Sequence, residues 1–320
     1  MNNIALNIAS IISITLLYSA PLIYTALGGV ISENSGVINI GLEGMMTIGA
    51  IVGATVGYYA GNPWLAFLCG GLGGMALALL HAVATIHFAA DHVVSGIAIN
   101  LIGPGLAIYI SRLFFDGAAM TKSIPFTNKL PQLFNGIFTT EQLKANSWMR
   151  IFDIIFKQYV VIYLAFLLVL VMWFVLYKTK LGLRIRAVGE HPKAAETLGV
   201  DAYRIKYIAV LTSGFLAGLG GASMSLAVVS NFRETLISGQ GYIALAAMIF
   251  GGWRPQGAMW ACLLFGFAQG ISVFLGAQGI KIDTNLLAMI PYVITLVVLI
   301  VFVKGVKGPS ADGIPYERNK

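Results

Sequence analysis

The stretch YKTKLGLRIRAVGEHPKAAETLGVDAYRIK, residues 177–206, decides how this chain is arranged. Seven of its 30 residues are basic: Lys178, Lys180, Arg184, Arg186, Lys193, Arg204 and Lys206. Upstream of it, no Lys or Arg occurs before Arg112. In membrane proteins, loops that are rich in Lys and Arg face the cytoplasm. The stretch therefore predicts a cytoplasmic loop that contacts a soluble partner.

The composition of the whole chain predicts an integral membrane protein. Of its 320 residues, 58% are hydrophobic and only 10% are charged, and the mean hydropathy is +0.84. Several apolar runs reach the length of about 20 residues that crosses a hydrocarbon layer. The 37 glycines favour helices that pack closely through small residues. The net charge is +7, and the basic residues are confined to loops and the tail. This distribution indicates contact with anionic lipid headgroups rather than with a nucleic acid polymer.

Apolar segments occur along the whole chain and define the expected topology. They cover about 8–30, 36–60, 64–89, 93–111, 159–177, 207–229, 241–276 and 286–303. We predict an all-α integral membrane protein with about nine or ten transmembrane helices, some short or broken, and a pseudo-repeat of two halves. Residues 1–307 would form a single transmembrane domain, with an extracytoplasmic loop at 112–158 and a cytoplasmic loop at 178–206. Residues 308–320 would form a polar cytoplasmic tail.

The run 241–276 is predicted to be two segments. If both the basic loop and the tail are cytoplasmic, an even number of crossings separates them, and the obvious runs give three. A break at 251–257 supplies the fourth, because Pro255 interrupts a helix and Arg254 would then lie at the membrane surface. The piece 241–252 is short for a full crossing, which favours a broken helix. The N-terminus is then outside, or inside if 28–45 contains another short crossing.

A short helix is predicted within the basic loop. Pro192 suits a first helical position, and Gly199 suits a left-handed cap after the last turn. Spacings of three and four residues would place Ala194, Ala195 and Leu198 on one face of this helix. This small apolar face could insert into a groove on another protein. The composition fits equally well with a solvated connector that has no partner.

The loop resembles a docking element of a known transporter family. It is similar to the ATPase-docking loop of permease subunits from bacterial ABC importers of the branched-chain amino acid, ribose and nucleoside family. The residues of this chain that correspond to that loop are Arg186, Gly189, Glu190, Pro192, Ala194, Ala195, Leu198 and Gly199. The resemblance implies a coupling helix that transmits the closure of a separate ATPase to the membrane helices.

A second segment, Ser35–Met46, carries polar groups next to an apolar run. Asn39 and Glu43 are four residues apart, so both are expected to project from one side of one helix. A carboxylate at lipid depth costs on the order of 3 kcal/mol unless it is paired or hydrated. Both residues are therefore candidates for the substrate pathway, although Glu43 could instead accept a structural hydrogen bond or lie at the surface. The segment resembles the Gly-Leu-Glu-Gly-Met signature of the nucleoside-type branch, which implies a nucleoside substrate.

Further polar residues interrupt the later apolar runs. The sequence Val94-Ser-Gly-Ile-Ala-Ile-Asn100 is similar to the same branch of the family, and Asn100 is a candidate for lining the pathway. Gln269 and Asn285 are candidates as well, and each could instead form a contact between helices.

Small residues and a possible repeat define the expected packing. The Ala-rich segment 241–252 resembles a broken helix of the family, and together with 36–46 it suggests an internal repeat that flanks the pathway. Glycines spaced four residues apart predict close helix contacts. They are Gly49, Gly53 and Gly57, then Gly70 with Gly74, Gly214 with Gly218, and Gly266 with Gly270.

The sequence shows no catalytic machinery. It contains no GxxxxGK[ST] loop for nucleotide phosphates and no nucleophile with His and Asp partners. His87, Asp91 and His92 could suggest a metal site, but only the first two would share a helical face and no third ligand is evident. We therefore expect no catalytic residue, no metal and no cofactor bound by this chain. A partner ATPase would use the ATP.

The resemblance implies a permease subunit of an ATP-driven nucleoside importer in the bacterial cytoplasmic membrane, working by alternating access. The implied partners are a second, homologous permease, a cytoplasmic ABC ATPase and an extracytoplasmic substrate-binding lipoprotein, besides membrane lipids. The lipoprotein could dock on 112–158, although the aromatics of this loop could simply anchor it at the headgroups. The alternatives are an ABC permease for a sugar or a branched-chain amino acid and, in another class, an ion-coupled secondary transporter.

Overall fold

The computed structural model describes residues 2–125, 128–138, 142–143, 146–278, 289, 293–294, 296–297 and 308–317. Over these residues the regular structure is helical, apart from an isolated β-bridge between Gln132 and Tyr159. The helices are α1 (Asn2–Glu33), α2 (Leu42–Ala60), α3 (Pro63–Ala82), α4 (His92–Phe114), α5 (Ser147–Phe156), α6 (Val160–Lys178), α7 (Lys180–Glu190), α8 (Pro192–Thr197), α9 (Ala202–Ser223), α10 (Gln240–Phe250) and α11 (Pro255–Ala277). Single π-helical turns, Val83–His87 and Met224–Val228, extend α3 and α9.

Within the described residues, six helices are long and apolar enough to cross a membrane. They are Ile4–Glu33, Pro63–His87, His92–Phe114, Val160–Lys178, Ala202–Val228 and Pro255–Ala277. The predicted all-α membrane class is therefore confirmed. Most of the predicted segment 286–303, with the candidate Asn285, lies outside the described residues.

The apolar run 241–276 is divided where the sequence predicts. Helix α10 ends at Phe250, and α11 begins with Pro255 in its first turn. Gly252 and Trp253 between them have positive φ angles of 66° and 55°, which turn the chain. Arg254 is exposed, as expected for a residue at the end of a membrane segment.

The other break differs from the prediction. Helix α1 ends at Glu33 and α2 begins only at Leu42, so Asn39 lies in a non-helical connection. The prediction that Asn39 and Glu43 project from one helix is wrong. Gly36 has a φ of 81°, in the left-handed region that favours glycine after a helix end, and residues 37–39 have no regular secondary structure.

Helix α9 is the centre of the bundle. In its most apolar window 78% of the residues are buried, and it packs against α1, α2 and α3. A Cβ atom at Gly218 would overlap the backbone of Gly70, and one at Gly214 would overlap the backbone of Gly74. The predicted glycine strips are therefore surfaces of close helix contact.

Helix α4 has the opposite character. Only 28% of its apolar window is buried, and Leu101 is 75% exposed. Its exposed apolar face must be covered by lipid or by another membrane protein, since water would not solvate it.

The segment between α4 and α6 packs on the loop that follows α9. The Thr121 N–H donates to the Phe232 carbonyl (3.0 Å), and the Ile124 N–H donates to the Ser230 carbonyl (2.8 Å). Helix α5 in the same segment has no buried residue. Because this segment lies at the opposite ends of α4 and α6 from the basic loop, the two loops are on opposite sides of the bundle.

Candidate functional site

Two helix N-termini meet at the side chain of Glu43. Its Oε1 atom accepts a hydrogen bond from the Gly239 N–H (2.6 Å), and its Oε2 atom accepts one from the Gly241 N–H (2.7 Å). These donors begin α10, whereas Glu43 itself lies in the first turn of α2. A carboxylate is favourable at this place because it satisfies unpaired N–H groups and faces the positive ends of two helix dipoles.

Asn100 of α4 binds to the same two helix starts. Its Oδ1 atom accepts from the Gly44 N–H (2.8 Å), and its Nδ2 atom donates to the Ile40 carbonyl (2.9 Å) and to the Tyr242 hydroxyl (2.9 Å). We call the set of Glu43, Asn100, Gly239, Gly241 and Tyr242 the break junction. It connects α2, α4 and α10.

The break junction contains two of the four predicted pathway residues, Glu43 and Asn100. Both carboxylate oxygens of Glu43 are hydrogen-bonded, which is the structural arrangement that the sequence left open beside a substrate contact. The junction also contains Tyr242, a residue that the sequence analysis did not select. Its side chain is 47% exposed, although most of α10 is buried or half-buried.

The other two predicted pathway residues have different neighbours. Asn39 is fully buried, and its Nδ2 atom donates to the Ser213 hydroxyl of α9 (2.9 Å). Gln269 is buried, and its Nε2 atom donates to the Oε1 atom of Gln240 at the start of α10 (3.0 Å). Both therefore hold helices together in this conformation.

A second pair of side chains joins the two breaks at their other ends. The indole Nε1 of Trp253 donates to the Glu33 carboxylate (2.6 Å), and Asn34 Nδ2 donates to the Trp253 carbonyl (3.0 Å). The end of α1 is thereby tied to the turn between α10 and α11. No local pattern indicates this contact, because Glu33 and Trp253 are 220 residues apart.

The basic loop contains the predicted short helix. Pro192 begins α8, and Gly199 has the left-handed φ of 81° that was expected for the cap. Ala194 is exposed and Leu198 is 85% exposed, but Ala195 is only 4% exposed. The prediction of one shared face is therefore wrong for Ala195, because successive helical residues point about 100° apart. The exposed apolar side chains are Ala194 of α8 and Leu198 directly after it, and we call these two the outer surface of α8.

Two other residues of the predicted loop face inward. The Nε atom of Arg186 donates to the Leu176 carbonyl (3.1 Å), and its guanidinium lies 4.9 Å from the centre of the Tyr177 ring. Gly189 is buried against the backbone of Asn34, where a Cβ atom would overlap the carbonyl group. These residues fix α7 to the membrane helices.

The basic surface of the loop is smaller than the sequence indicated. Lys206 is 2% exposed, and its ammonium group lies 5.6 Å from the centre of the Tyr316 ring. Arg204 forms an ion pair with Asp201 at 3.2 Å. The exposed basic residues of the loop are Lys178, Lys180, Arg184, Lys193 and Arg204.

The tail folds against the basic loop. The Ala311 N–H donates to the Gly189 carbonyl (2.9 Å). Glu190 accepts hydrogen bonds from the N–H (3.2 Å) and the hydroxyl (2.7 Å) of Ser310, and Glu196 accepts one from the Tyr316 hydroxyl (2.8 Å). We call α7, α8 and residues 308–317 together the coupling region.

No group of three or more His, Cys, Asp or Glu side chains in the described part of the chain could hold a metal ion. His87 ends a π-helical turn, whereas Asp91 caps α4 by accepting from the Val94 N–H (2.9 Å). The prediction that these two share a helical face is wrong. His92 is buried and accepts from the Ile38 N–H (3.3 Å), which is a structural contact.

Comparison with known proteins defines the class of this protein. Residues 11–303 match the family described as branched-chain amino acid transport system / permease component. The chain belongs to this family of membrane-embedded transport subunits. It is a multi-pass protein of the bacterial inner membrane, and its relatives are permease components rather than ATPases. No solved structure matches the chain.

Individual relatives are similar over most of their length. The guanosine ABC transporter permease protein NupQ of Bacillus subtilis is 41% identical over 97% of this chain and 97% of its own. The nucleoside ABC transporter permease protein NupC of Lactococcus lactis is 40% identical over 99% of this chain and its full length. The putative glucose ABC transporter permease protein TsgC13 of Haloferax volcanii is 35% identical over 87% of this chain and 81% of its own. The first two organisms each have a second, 26% identical permease protein, NupP and NupB.

Proposed function

We propose that this chain is one permease subunit of an ATP-driven nucleoside importer, and that a separate cytoplasmic ATPase docks on α8. The observation that carries the docking proposal is the outer surface of α8. The six-residue α8 exposes Ala194, and Leu198 directly after it is exposed as well, while Arg186 and Gly189 of the neighbouring α7 are fixed to the membrane helices. Exposed apolar side chains mark a site where another protein can bind. Because α7 is fixed to the membrane helices, movement of a bound partner would be transmitted to them.

The proposed mechanism is alternating access. Closure of the ATPases moves α8, and the movement passes through α7 and its buried contacts to the end of α1. The breaks in the bundle are the places where helices can reorient, because helix ends there are held by side chains rather than by continuous backbone hydrogen bonds. The break junction would keep α2 and α10 together as they move.

The second permease would cover the exposed face of α4. Bacillus subtilis and Lactococcus lactis each have two different permease proteins that are similar to this chain, which supports a heterodimer over a homodimer. The extracytoplasmic lipoprotein would deliver the substrate to the opposite side of the bundle from α8, where residues 115–125 and 230–232 lie together.

The full topology in this proposal has nine or ten membrane segments. Six spans, the 19-residue α2, the short apolar α10 and the predicted segment 286–303 together supply nine. The two discontinuous segments that meet at Glu43 support a pseudo-repeat, since each consists of a non-helical connection followed by a helix whose first turn lies at the break junction.

The substrate is tested by competitive uptake. Cells that express the permease pair, the ATPase and the binding lipoprotein are expected to accumulate radiolabelled guanosine, and unlabelled nucleosides should compete. The 35% identical glucose-type relative supports a sugar as the second candidate. Competition by glucose or ribose, without competition by nucleosides, would replace the nucleoside assignment with the sugar assignment.

Docking is tested with Ala194→Arg. The new side chain would occupy the contact surface, so uptake and retention of a co-expressed, tagged ATPase should both be lost while the permease remains folded. Ala119→Arg is the matched control, because Ala119 is also an exposed alanine but lies in the loop after α4. Normal uptake and ATPase retention by Ala194→Arg would refute the docking role. Uptake that survives ATP depletion but stops with an ionophore would indicate a secondary transporter.

A further inference from the structure

The C-terminal segment 308–317 contacts three separate parts of the molecule. Its bonds to Gly189, Glu190 and Glu196 attach it to the cytoplasmic loop. It also contacts the connection between α1 and α2, because a Cβ atom at Gly36 would lie 3.2 Å from the Ala311 carbonyl oxygen. We call this segment the C-terminal clasp.

The clasp reaches both helix breaks. Gly313 lies against the Ile38 side chain, in the connection that leads to Glu43. Gly308 lies against the indole of Trp253, where an added Cβ atom would come within 3.0 Å of the ring. The clasp therefore touches α8, the connection that leads to Glu43, and the turn that follows α10.

An open groove of about 720 Å³ is lined by both the clasp and α8. Its α8 side is formed by His191, Pro192, Lys193 and Ala194, and its clasp side includes Ile314, Pro315 and Glu317. Ala194 belongs both to this groove and to the outer surface of α8. Apolar residues and the charged Lys193 and Glu317 line this groove together, a mixture that is usual in protein–protein contacts.

We infer that the C-terminal clasp is the second half of the ATPase-docking surface and transmits the movement of α8 to the helix breaks. This inference rests on the proposed function, because the occupant of the groove is the same cytoplasmic ATPase. The ATPase inserts an apolar surface residue between α8 and Ile314, with polar neighbours facing Lys193 and Glu317. The clasp holds α8 through the bond from Tyr316 to Glu196 and α7 through the bond from Ser310 to Glu190, and it relays motion through Ala311 and Gly313.

The inference is tested by retention of a tagged, co-expressed ATPase on the purified permease pair, together with nucleoside uptake. The variants are a truncation that removes 308–320, Tyr316→Phe, Glu196→Ala and the double variant. The truncation should reduce ATPase retention at least about tenfold. Each single variant should reduce it about fivefold, and the double variant should be no worse, because both changes remove the same hydrogen bond.

Tyr163→Phe is the matched control. It also removes one phenolic hydrogen bond, from the Tyr163 hydroxyl to the Phe156 carbonyl (2.6 Å), but at the opposite end of the bundle. Retention should then equal that of the unmodified pair. If the truncated permease does not fold, Tyr316→Phe and Glu196→Ala decide the result, since both preserve the clasp backbone.

Two outcomes separate this inference from the proposed function. If Ala194→Arg loses the ATPase while the folded truncation and Tyr316→Phe retain it fully, docking on α8 stands and the role of the clasp is refuted. If Ala194→Arg also retains the ATPase, docking on α8 is refuted. The role of the clasp in ATPase docking is then refuted with it. If the double variant reduced ATPase retention by the product of the two single effects, Tyr316→Phe and Glu196→Ala would not act through one hydrogen bond.

Discussion

The break junction and the coupling region both join distant parts of the chain, but they do so in different surroundings. At the break junction, the half-buried carboxylate of Glu43 satisfies two backbone N–H groups at the start of α10. In the coupling region, Glu190 binds Ser310 at the surface, and the apolar side chain of Leu198 is left in solvent. The first region therefore stabilises the fold, whereas the second keeps a surface available to a partner.

The largest effect is expected for Glu43. Glu43→Ala would leave the Gly239 and Gly241 N–H groups without partners, which should cost about 3 kcal/mol of unfolding free energy and abolish uptake. The unfolding free energy of Glu43→Gln should lie between those of the unmodified protein and Glu43→Ala, because an amide offers only one acceptor oxygen for two donors. Thermal unfolding of the purified permease measures the stability. If Glu43→Ala unfolded at the normal temperature and only uptake fell, Glu43 would act on the substrate rather than on the fold.

Leu198 should show the opposite pattern. Leu198→Ser removes apolar contact area from the outer surface of α8, so uptake should fall about tenfold. The unfolding free energy should change by no more than about 0.5 kcal/mol, because the residue is already solvated. Leu133→Ser, at an exposed leucine on the other side of the bundle, serves as control. A marked loss of thermal stability in Leu198→Ser would erase the distinction between the two regions.

Substitutions of Asn100 and Tyr242 compare how much individual hydrogen bonds of the break junction contribute to stability. Asn100→Ala loses three hydrogen bonds and should cost about 2 kcal/mol, whereas Tyr242→Phe loses one partly exposed bond and should cost under about 1 kcal/mol. Denaturant titration of each purified variant gives these values. Equal costs for both variants would show that the Tyr242 hydroxyl, rather than the helix starts, is the essential partner of Asn100.

The smallest effect is a dependence of the clasp on pH. Burial raises the pKa of the Asp312 carboxyl to about 7, with a hydrogen bond to Glu33 and the charge of Lys206 acting in the opposite direction. Because the folded pKa lies above the ordinary value near 4, the proton-linked stability is complete below that value. It is then lost as the pH rises through about 7. Limited proteolysis of the tail should therefore be faster at pH 8 than at pH 6, and Asp312→Asn should remove most of this difference.

The local features of the fold could be predicted from the sequence, because they depend on near neighbours. Pro192 and Gly199 bound α8 as expected, and Pro255 begins a new helix after the Gly-Gly turn. The membrane class followed from apolar runs of sufficient length. The connection that contains Asn39 was misjudged because a spacing of four indicates a helical face only if the helix is continuous.

The long-range contacts could not be predicted in the same way. Glu43 and Gly239 are 196 residues apart, and Tyr316 and Glu196 are 120 residues apart. No periodicity within one segment identifies such partners. A buried carboxylate did signal that a partner must exist, but the tail carried no comparable signal, because Ser310 and Tyr316 are ordinary residues of a polar end.

The most direct measurement is cross-linking from the outer surface of α8. In a background with Cys69 and Cys262 replaced by alanine, Ala194→Cys should form an adduct with the co-expressed ATPase when a short thiol-reactive cross-linker is added to membranes. Ala119→Cys, on the other side of the bundle, should form none. The absence of an ATPase adduct from Ala194→Cys, together with its labelling by a membrane-impermeant thiol reagent in intact cells, would contradict the cytoplasmic docking of a motor on this helix.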